Sequence, residues 1–366
     1  VSRIVFVPTL VDRDNHNAQI GNARAVLAEW SVSQWCVAVH AYGIPDQRLV
    51  ANSRIKITRL WRSRAWKIHL FLRYFKSCDL IFYPGGYPHD LAGLRWRTRL
   101  GLSAPVVATL EGLVGNEVRE AEYSDLAGHK VFCQHVATDA LNRMDEIYRR
   151  ADHIIAISPF LAQMGESRYG KKFSVLPLGI DSSVFYKAQR EVNKRLKVVS
   201  AGTVKASKRP EIFVELARRN PQADFVWYGE GELREKLLAD VRASGIENLN
   251  FPGALSPLKL GAAFRAADIF VMPSTSEGVP KVTQEAAACG LAQVIFGYYQ
   301  APSVVDQLNG FVVWSDDDFV EKVGELLGNY ALVESMGQAG AKMAIEWNWA
   351  AVSQRWRDRL IEVASK

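Results

Sequence analysis

Between residues 196 and 313, five short apolar runs (Leu196–Ala201, Asp224–Tyr228, Asp268–Met272, Ala292–Phe296 and Gly310–Val313) alternate with longer stretches of helical period. That alternation is the signature of repeated βαβ units. Right-handed crossovers then dictate a parallel sheet with helices on both faces, whose ligand crevice lies outside the carboxyl ends of the strands. Chemistry is therefore to be sought in the loops that follow those strands. The first half repeats the pattern less regularly, with predicted strands Arg3–Pro8, Trp35–His40, Leu80–Tyr83, Pro105–Leu110 and His153–Ile157 and a predicted helix Asn22–Ala28. The expected fold class is α/β, two Rossmann-like domains facing one cleft. The stretch Asp181–Lys197 has turn residues, mixed charge and no long apolar period, so it reads as the linker.

With 48% apolar and 23% charged residues and only 26 Gly and 14 Pro, disordered, collagenous and low-complexity readings are excluded. No run approaches the roughly 18 apolar residues of a membrane-spanning helix. Val1 to Leu10 read as a strand entering a core, not as a signal peptide, so a cytoplasmic location is expected. Cys36, Cys78, Cys133 and Cys289 stand far apart without a C-x-x-C pair, which fits neither a zinc site nor a disulfide framework. Net charge is divided unevenly, +7 over residues 1–180 and −1 over the remainder, so the two halves are expected to meet different partners.

The densest chemical signal is the stretch Ser274 to Gly290 directly after the predicted strand Asp268–Met272, a loop feeding a helix. Pro280 suits the first helical turn and Gly290 the helix end. A helix N-terminus at a strand's carboxyl end, with the N–H groups of Gly278, Val279 and Lys281 nearby, favours phosphate. Glu277 in the loop and Glu285 in the helix would repel that phosphate, so their expected targets are sugar and ribose hydroxyls.

Here the sequence resembles a known family. Ala267-Asp268, Pro273-Ser274, Glu277-Gly278, Glu285-Ala286 and Gly290 look like the core signature of the glycogen-synthase-like retaining glycosyltransferases, group 1, of GT-B architecture. The likeness extends to Ala151–Ser158, Leu176–Asp181 with Phe185, Tyr228–Gly231, Phe251–Gly253 and Asn309-Gly310. It implies a first domain of residues 1–185 joined by a C-terminal helix, 347–366, that crosses back to it, and a donor domain of residues 186–346. It implies that Glu277 holds hydroxyls of the transferred sugar, that Glu285 holds the ribose, and that Lys208, after a strand ending at Gly202, grips the diphosphate. Gly229 and Glu230 fall in the donor set.

Two positions depart from the family pattern. Thr203 stands where an arginine is usual, leaving Lys205 or Arg209 to compensate, although an ammonium does not replace a bidentate guanidinium. Glu111, in Thr109–Gly112, stands where a histidine is usual and can accept hydrogen bonds from a sugar.

The remaining candidates lie in the first half. The loop Asn15–Asn22 is rich in amides (Asn17, Gln19, beside Gly21) that suit neutral hydroxylated ligands as well as a plain turn. Tyr87 and His89 follow the strand Leu80–Tyr83 and point to the acceptor side. Residues 54–76 hold eight Lys or Arg and no acid, interleaved with aromatics including Trp61 and Trp66. This basic amphipathic stretch (Trp61, Arg62, Arg64, Trp66 and Lys67 foremost) suits an anionic membrane surface, and the bland alternative is a surface helix with its aromatics in the core. No nucleic-acid module surrounds it. Asp316–Asp318 imitate a metal-binding D-x-D, but following a strand they read as a helix start capped by Ser315 or Asp316.

These readings converge on a retaining glycosyltransferase with no cofactor and no required metal. It would use a UDP- or GDP-linked sugar and a saccharide or lipid-linked acceptor, with nucleic acid not a partner. The alternatives are a soluble small-molecule acceptor, an epimerase or phosphorylase on the same architecture, and a non-catalytic nucleotide-sugar-binding module.

Overall fold

The computed structural model describes residues 3–10, 18–41, 43–59, 68, 71–84, 91–112, 123–124, 130–131, 138–189 and 195–366. Seven strands form a first sheet: β1 (Arg3–Leu10), β2 (Trp35–Ala41), β3 (Ile55–Arg59), β4 (Leu80–Tyr83), β5 (Val106–Leu110), β8 (His153–Ala156) and β9 (Phe173–Val175). Their order is β3-β2-β1-β4-β5-β8-β9 and every pairing is parallel. A second parallel sheet contains β10 (Lys197–Ala201), β11 (Asp224–Tyr228), β12 (Leu249–Asn250), β13 (Ile269–Met272), β14 (Ala292–Phe296) and β15 (Gly310–Val313) in the order β12-β11-β10-β13-β14-β15. The short β6 (Tyr123–Ser124) and β7 (Lys130–Val131) pair antiparallel. Both large sheets run outward in two directions from a central pair, β1/β4 and β10/β13, the topology whose switch point binds ligands.

The strands form because both sheet faces are covered. β5, β13 and β14 are buried at every position, which parallel sheets require and which near-continuous apolar runs supply. The expected strand Arg3–Pro8 runs on to Leu10 across a one-residue register shift between Val7 and Leu10. Pro8, which lacks an N–H to give the ladder, sits inside that bulge. In the second unit, Phe213 stands edge-on to both Phe225 and Trp227 at ring distances of 5.5 and 5.4 Å, filling the layer between β10–β11 and the helix Pro210–Arg219.

The chain divides into two compact units, 1–115, 136–179 and 349–366 in one, and 116–135 and 180–348 in the other. Residues 180–185 thus belong with the second unit rather than the first. Ile180, Val184 and Phe185 are buried in its core, which the turn-rich look of the expected linker hides. The helix Trp349–Ala364 returns to the first unit, where Trp356 Nε1 donates to the Pro177 carbonyl at 2.9 Å and Arg359 to Ser174 Oγ at 2.8 Å.

Two expectations need correction. The stretch 54–76 is not one helix, because Ile55–Arg59 alternates with period two and pairs with β2 from Val37 to Ala41. Phe71–Phe75 forms a single π-helical turn, and Tyr74 stacks on Phe6 while Phe75 meets it edge-on, so these two aromatics serve the core. Trp61, Arg62, Arg64, Trp66 and Lys67 lie outside the described residues. The first helix spans Ala18–Ala28, so Gln19, Gly21 and Asn22 belong to its opening turns and not to a loop. Among the described residues, no helix is long and apolar enough to cross a membrane.

Candidate active site

The second unit brings two loops together at the β10/β13 switch point. After β10 the chain passes Gly202, with φ +139°, and enters a 3₁₀ turn, Ala206–Lys208. After β13 it forms the loop 273–280 and the helix Lys281–Ala288. Thr275 ties the loops, its backbone N–H donating to the Ser207 carbonyl at 3.2 Å and its hydroxyl to the same oxygen at 3.4 Å. With the loops so joined, the Lys208 ammonium pairs with Glu277 Oε1, and the two side chains are only 17% and 15% exposed. Two residues 69 apart in sequence thereby form one dipolar pair.

Glycine shapes the backbone beneath that pair, at Gly202 through its positive φ and at Gly229 through close approach. A Cβ on Gly202 would lie 3.9 Å from Lys208 Nζ, and one on Gly229 would stand 1.9 Å from the Gly202 carbonyl oxygen. The loops after β10 and β11 therefore touch backbone to backbone, locked by Gly202 N–H to Tyr228 O and Trp227 Nε1 to Gly202 O, both at 2.9 Å.

The helix Lys281–Ala288 begins without an acidic residue in its first turn, and Pro280 occupies the cap position without a side-chain cap. The Pro280 carbonyl is taken by Thr283 Oγ1 at 2.6 Å. Its N-terminal dipole therefore favours an anion, with Lys281 adding positive charge. Gly278 and Val279 are half-buried just before it and Pro280 is buried. Glu285, half-buried one turn on, has its carboxyl pushed up to about 7 by burial, against the opposing pull of Lys281.

The Glu285 shift carries a stability prediction. The folded chain holds this proton to higher pH than the unfolded chain, so its penalty is absent below pH ~4.5, grows through the interval and is complete above ~7, at about 3 kcal/mol. A Glu285→Gln variant, neutral throughout, is expected to gain thermal stability relative to wild type between pH 5 and pH 8. A difference in Tm that stays constant over that range contradicts the assignment.

Around this core the other expected donor residues divide. Thr203 is exposed and Lys205 half-buried at the start of the 3₁₀ turn, where the Lys208 N–H donates to its carbonyl at 3.0 Å. Arg209 is engaged away from Thr203. Its guanidinium grips both oxygens of Asp316, at 2.8 and 2.5 Å, and the residue is 7% exposed. Glu230 is exposed and sits 3.8 Å from Arg234. As expected, Ser315 caps the helix Asp316–Gly328, accepting from the Asp318 N–H at 3.1 Å.

No pattern along the chain announces Tyr299, which is buried, donates to the Met272 carbonyl at 3.2 Å and has its phenol pushed well up by burial and by Glu277. Ser207 joins the loops through its carbonyl, which leaves no mark on residue type.

In the first unit, Glu111 follows β5 and its two oxygens accept from Asn22 Nδ2 and Thr109 Oγ1, each at 2.9 Å. The carboxylate is thus oriented by neighbours at the end of a central strand. A Cβ at Gly21, in the adjoining helix, would meet open space. Gln19 lies in that helix, and Asn17, Tyr87 and His89 lie outside the described residues.

Comparison with known proteins agrees with this layout. Residues 26–184 match Glycosyltransferase Family 4 and residues 183–343 match Glycosyl transferases group 1. The chain is 24% identical over 234 residues to the alpha-galactosylglucosyldiacylglycerol synthase of Streptococcus pneumoniae, covering 58% of this chain and 61% of that one. It is 28% identical over 203 residues to the D-inositol 3-phosphate glycosyltransferase of Segniliparus rotundus, covering 50% and 45% respectively. The chain thus spans about half to three-fifths of the length of these relatives. The Anabaena HepE structure in complex with UDP superposes with a TM-score of 0.74 at 15% identity, over 98% of this chain and 100% of that one. Two glycosyltransferase family models thus match consecutive stretches from residue 26 to residue 343, each under half of the chain, and the two sheets of doubly wound order have the GT-B fold of the matched structure.

Proposed function

We propose that this protein transfers a sugar from a nucleoside diphosphate sugar to an acceptor hydroxyl with retention of anomeric configuration. The observation that carries the reading is the Lys208–Glu277 pair, held at the β10/β13 switch point by the Thr275–Ser207 tie and followed by an acid-free helix N-terminus. The anomeric C–O bond to the diphosphate breaks, and negative charge grows on the leaving oxygen. Lys208, Lys205 and the N-terminus of Lys281–Ala288 are groups already in place to stabilise that charge. Glu277 accepts hydrogen bonds from hydroxyls of the departing sugar, and Glu285 from those of the ribose. The acceptor oxygen bonds to the anomeric carbon on the leaving-group face while its proton passes to a donor phosphate oxygen, so no protein nucleophile and no metal is required.

For the acceptor, we favour a glycolipid or lipid-linked saccharide over a soluble molecule. The Streptococcus pneumoniae relative is named for a diacylglycerol glycolipid, and within the basic stretch the residues Trp61, Arg62, Arg64, Trp66 and Lys67, outside the strand Ile55–Arg59, keep the composition that suits work at an anionic membrane surface. The Segniliparus rotundus relative, named for inositol 3-phosphate, represents the soluble alternative.

Calorimetric titration with UDP, GDP, ADP and dTDP, each in Mg²⁺ and in EDTA, tests the donor reading. One nucleotide is expected to bind, and equally in both buffers. Binding that vanishes in EDTA overturns metal independence. Binding of none overturns the enzyme reading.

A further inference from the structure

We infer that Arg209 and Asp316 form a positioning device that sets the ammonium of Lys208 for a diphosphate, an inference that rests on the donor reading above. Arg209 follows Lys208 directly and has φ +49° and ψ 54°, the left-handed region. A residue with a Cβ adopts that conformation at a steric cost, and it persists only where its surroundings impose it. The imposing contacts are visible. The guanidinium is bidentate to Asp316, lies 5.6 Å over the Phe296 ring and approaches Glu211 at 3.4 Å.

Asp316 is itself a fixed point. It opens the helix Asp316–Gly328, whose N-terminus Ser315 caps, and it lies 107 residues from Arg209 in sequence. Arg209 in turn is the cap residue of the helix Pro210–Arg219, and its N–H closes the 3₁₀ turn on the Ala206 carbonyl at 3.0 Å. The pair therefore pins together the starts of two helices that follow β10 and β15, and the turn carrying Lys208 is clamped between the Thr275–Ser207 tie on one side and Arg209–Asp316 on the other. A flexible ammonium on a four-carbon stem gains directional precision only from the backbone that presents it, because it has no planar fork of its own. Arg209 contributes its guanidinium to that backbone rather than to a ligand. This explains how an arginine beside the phosphate-binding lysine is present and yet does not replace the one that Thr203 lacks.

The test is a thermodynamic cycle on the full chain. Affinities for the nucleoside diphosphate that wild type binds, by calorimetry, and for the corresponding free nucleoside, by ligand-observed NMR, are measured in wild type, Asp316→Asn, Lys208→Ala and the double variant. Asp316→Asn is expected to weaken the diphosphate roughly five- to tenfold, to leave the nucleoside unchanged and to add nothing once Lys208 is gone. Equal weakening of diphosphate and nucleoside, or the same loss in both backgrounds, makes the pair merely structural and overturns the inference. Arg209→Gly, which accepts the left-handed backbone without strain, guards against misfolding of the aspartate variant. It is expected to fold and to show the same selective loss, and full diphosphate affinity in it overturns the inference. If wild type and all variants bind no nucleoside diphosphate, the donor reading itself has failed. If wild type and Lys208→Ala behave as expected and Asp316→Asn does not, the positioning role alone has failed.

Discussion

Lys208→Ala is expected to lower turnover on the nucleoside diphosphate sugar on the order of 10²- to 10³-fold, the size seen when one preorganised group facing developing charge is removed. Two effects act together. The leaving diphosphate loses a cation that is largely withdrawn from water, and Glu277, 15% exposed, loses the partner that neutralises it. The second effect adds repulsion, because an unpaired carboxylate then stands beside the phosphate position. Lys208→Met, which keeps the length of the stem, separates packing from charge and is expected to match the alanine variant. Lys208→Arg is expected to recover little, since a planar fork is built for a different approach than the one the 3₁₀ turn over Gly202 gives an ammonium. Release of nucleoside diphosphate, followed under single-turnover and steady-state conditions, reads these losses. Turnover within about threefold of wild type in Lys208→Met removes the lysine from the chemistry and leaves Lys205 as the cation to examine.

Most of this arrangement is legible in the sequence where a residue's type determines its place. The strands β10, β11, β13, β14 and β15 are legible because a strand buried on both faces has to be apolar throughout, and the site lies at their carboxyl ends because the strand order reverses there. Glu277 and Glu285 stand out because the two carboxylates share one loop and helix directly after a strand, whereas Lys208 is picked out only by the family resemblance. What is hidden is whatever depends on a backbone atom or on a distant partner. The Ser207 carbonyl joins the two loops, and any residue has a carbonyl. Arg209 has the residue type of a phosphate ligand, yet Asp316, 107 positions away, takes its guanidinium. Glu111 is visible as an acid after a strand, but its orientation by Asn22 and Thr109 depends on a helix that begins four residues earlier than the apolar pattern suggests. The basic run 54–76 misleads for the opposite reason. Charge dominates its appearance, while Ile55 and Ile57, paired with Val37 and Val39, decide that its first part is a strand.

Glu277→Gln is expected to move turnover and nucleotide affinity in opposite directions. Turnover should fall by roughly 10²-fold, because an amide accepts the hydroxyl hydrogen bonds of the departing sugar less strongly than a carboxylate and cannot balance positive charge growing at the anomeric carbon. Affinity for the nucleoside diphosphate should stay the same or rise, by up to about fivefold, because the substitution frees Lys208 from its ion pair and removes a negative charge beside the phosphates. Glu285→Ala supplies the contrast: set on the helix rather than in the loop, it is expected to weaken the nucleoside and the diphosphate together while turnover at saturation changes far less. The opposite signs matter because a general loosening of the loop 273–280 would lower both quantities in Glu277→Gln. Calorimetry with the diphosphate, paired with turnover at saturating donor, therefore distinguishes a carboxylate that acts on the sugar from one that merely holds Lys208 in place. If affinity and turnover fall together, Glu277 is a tether for the lysine, and the contact with the sugar has to be sought elsewhere on the loop, beginning at Ser276 and Gly278.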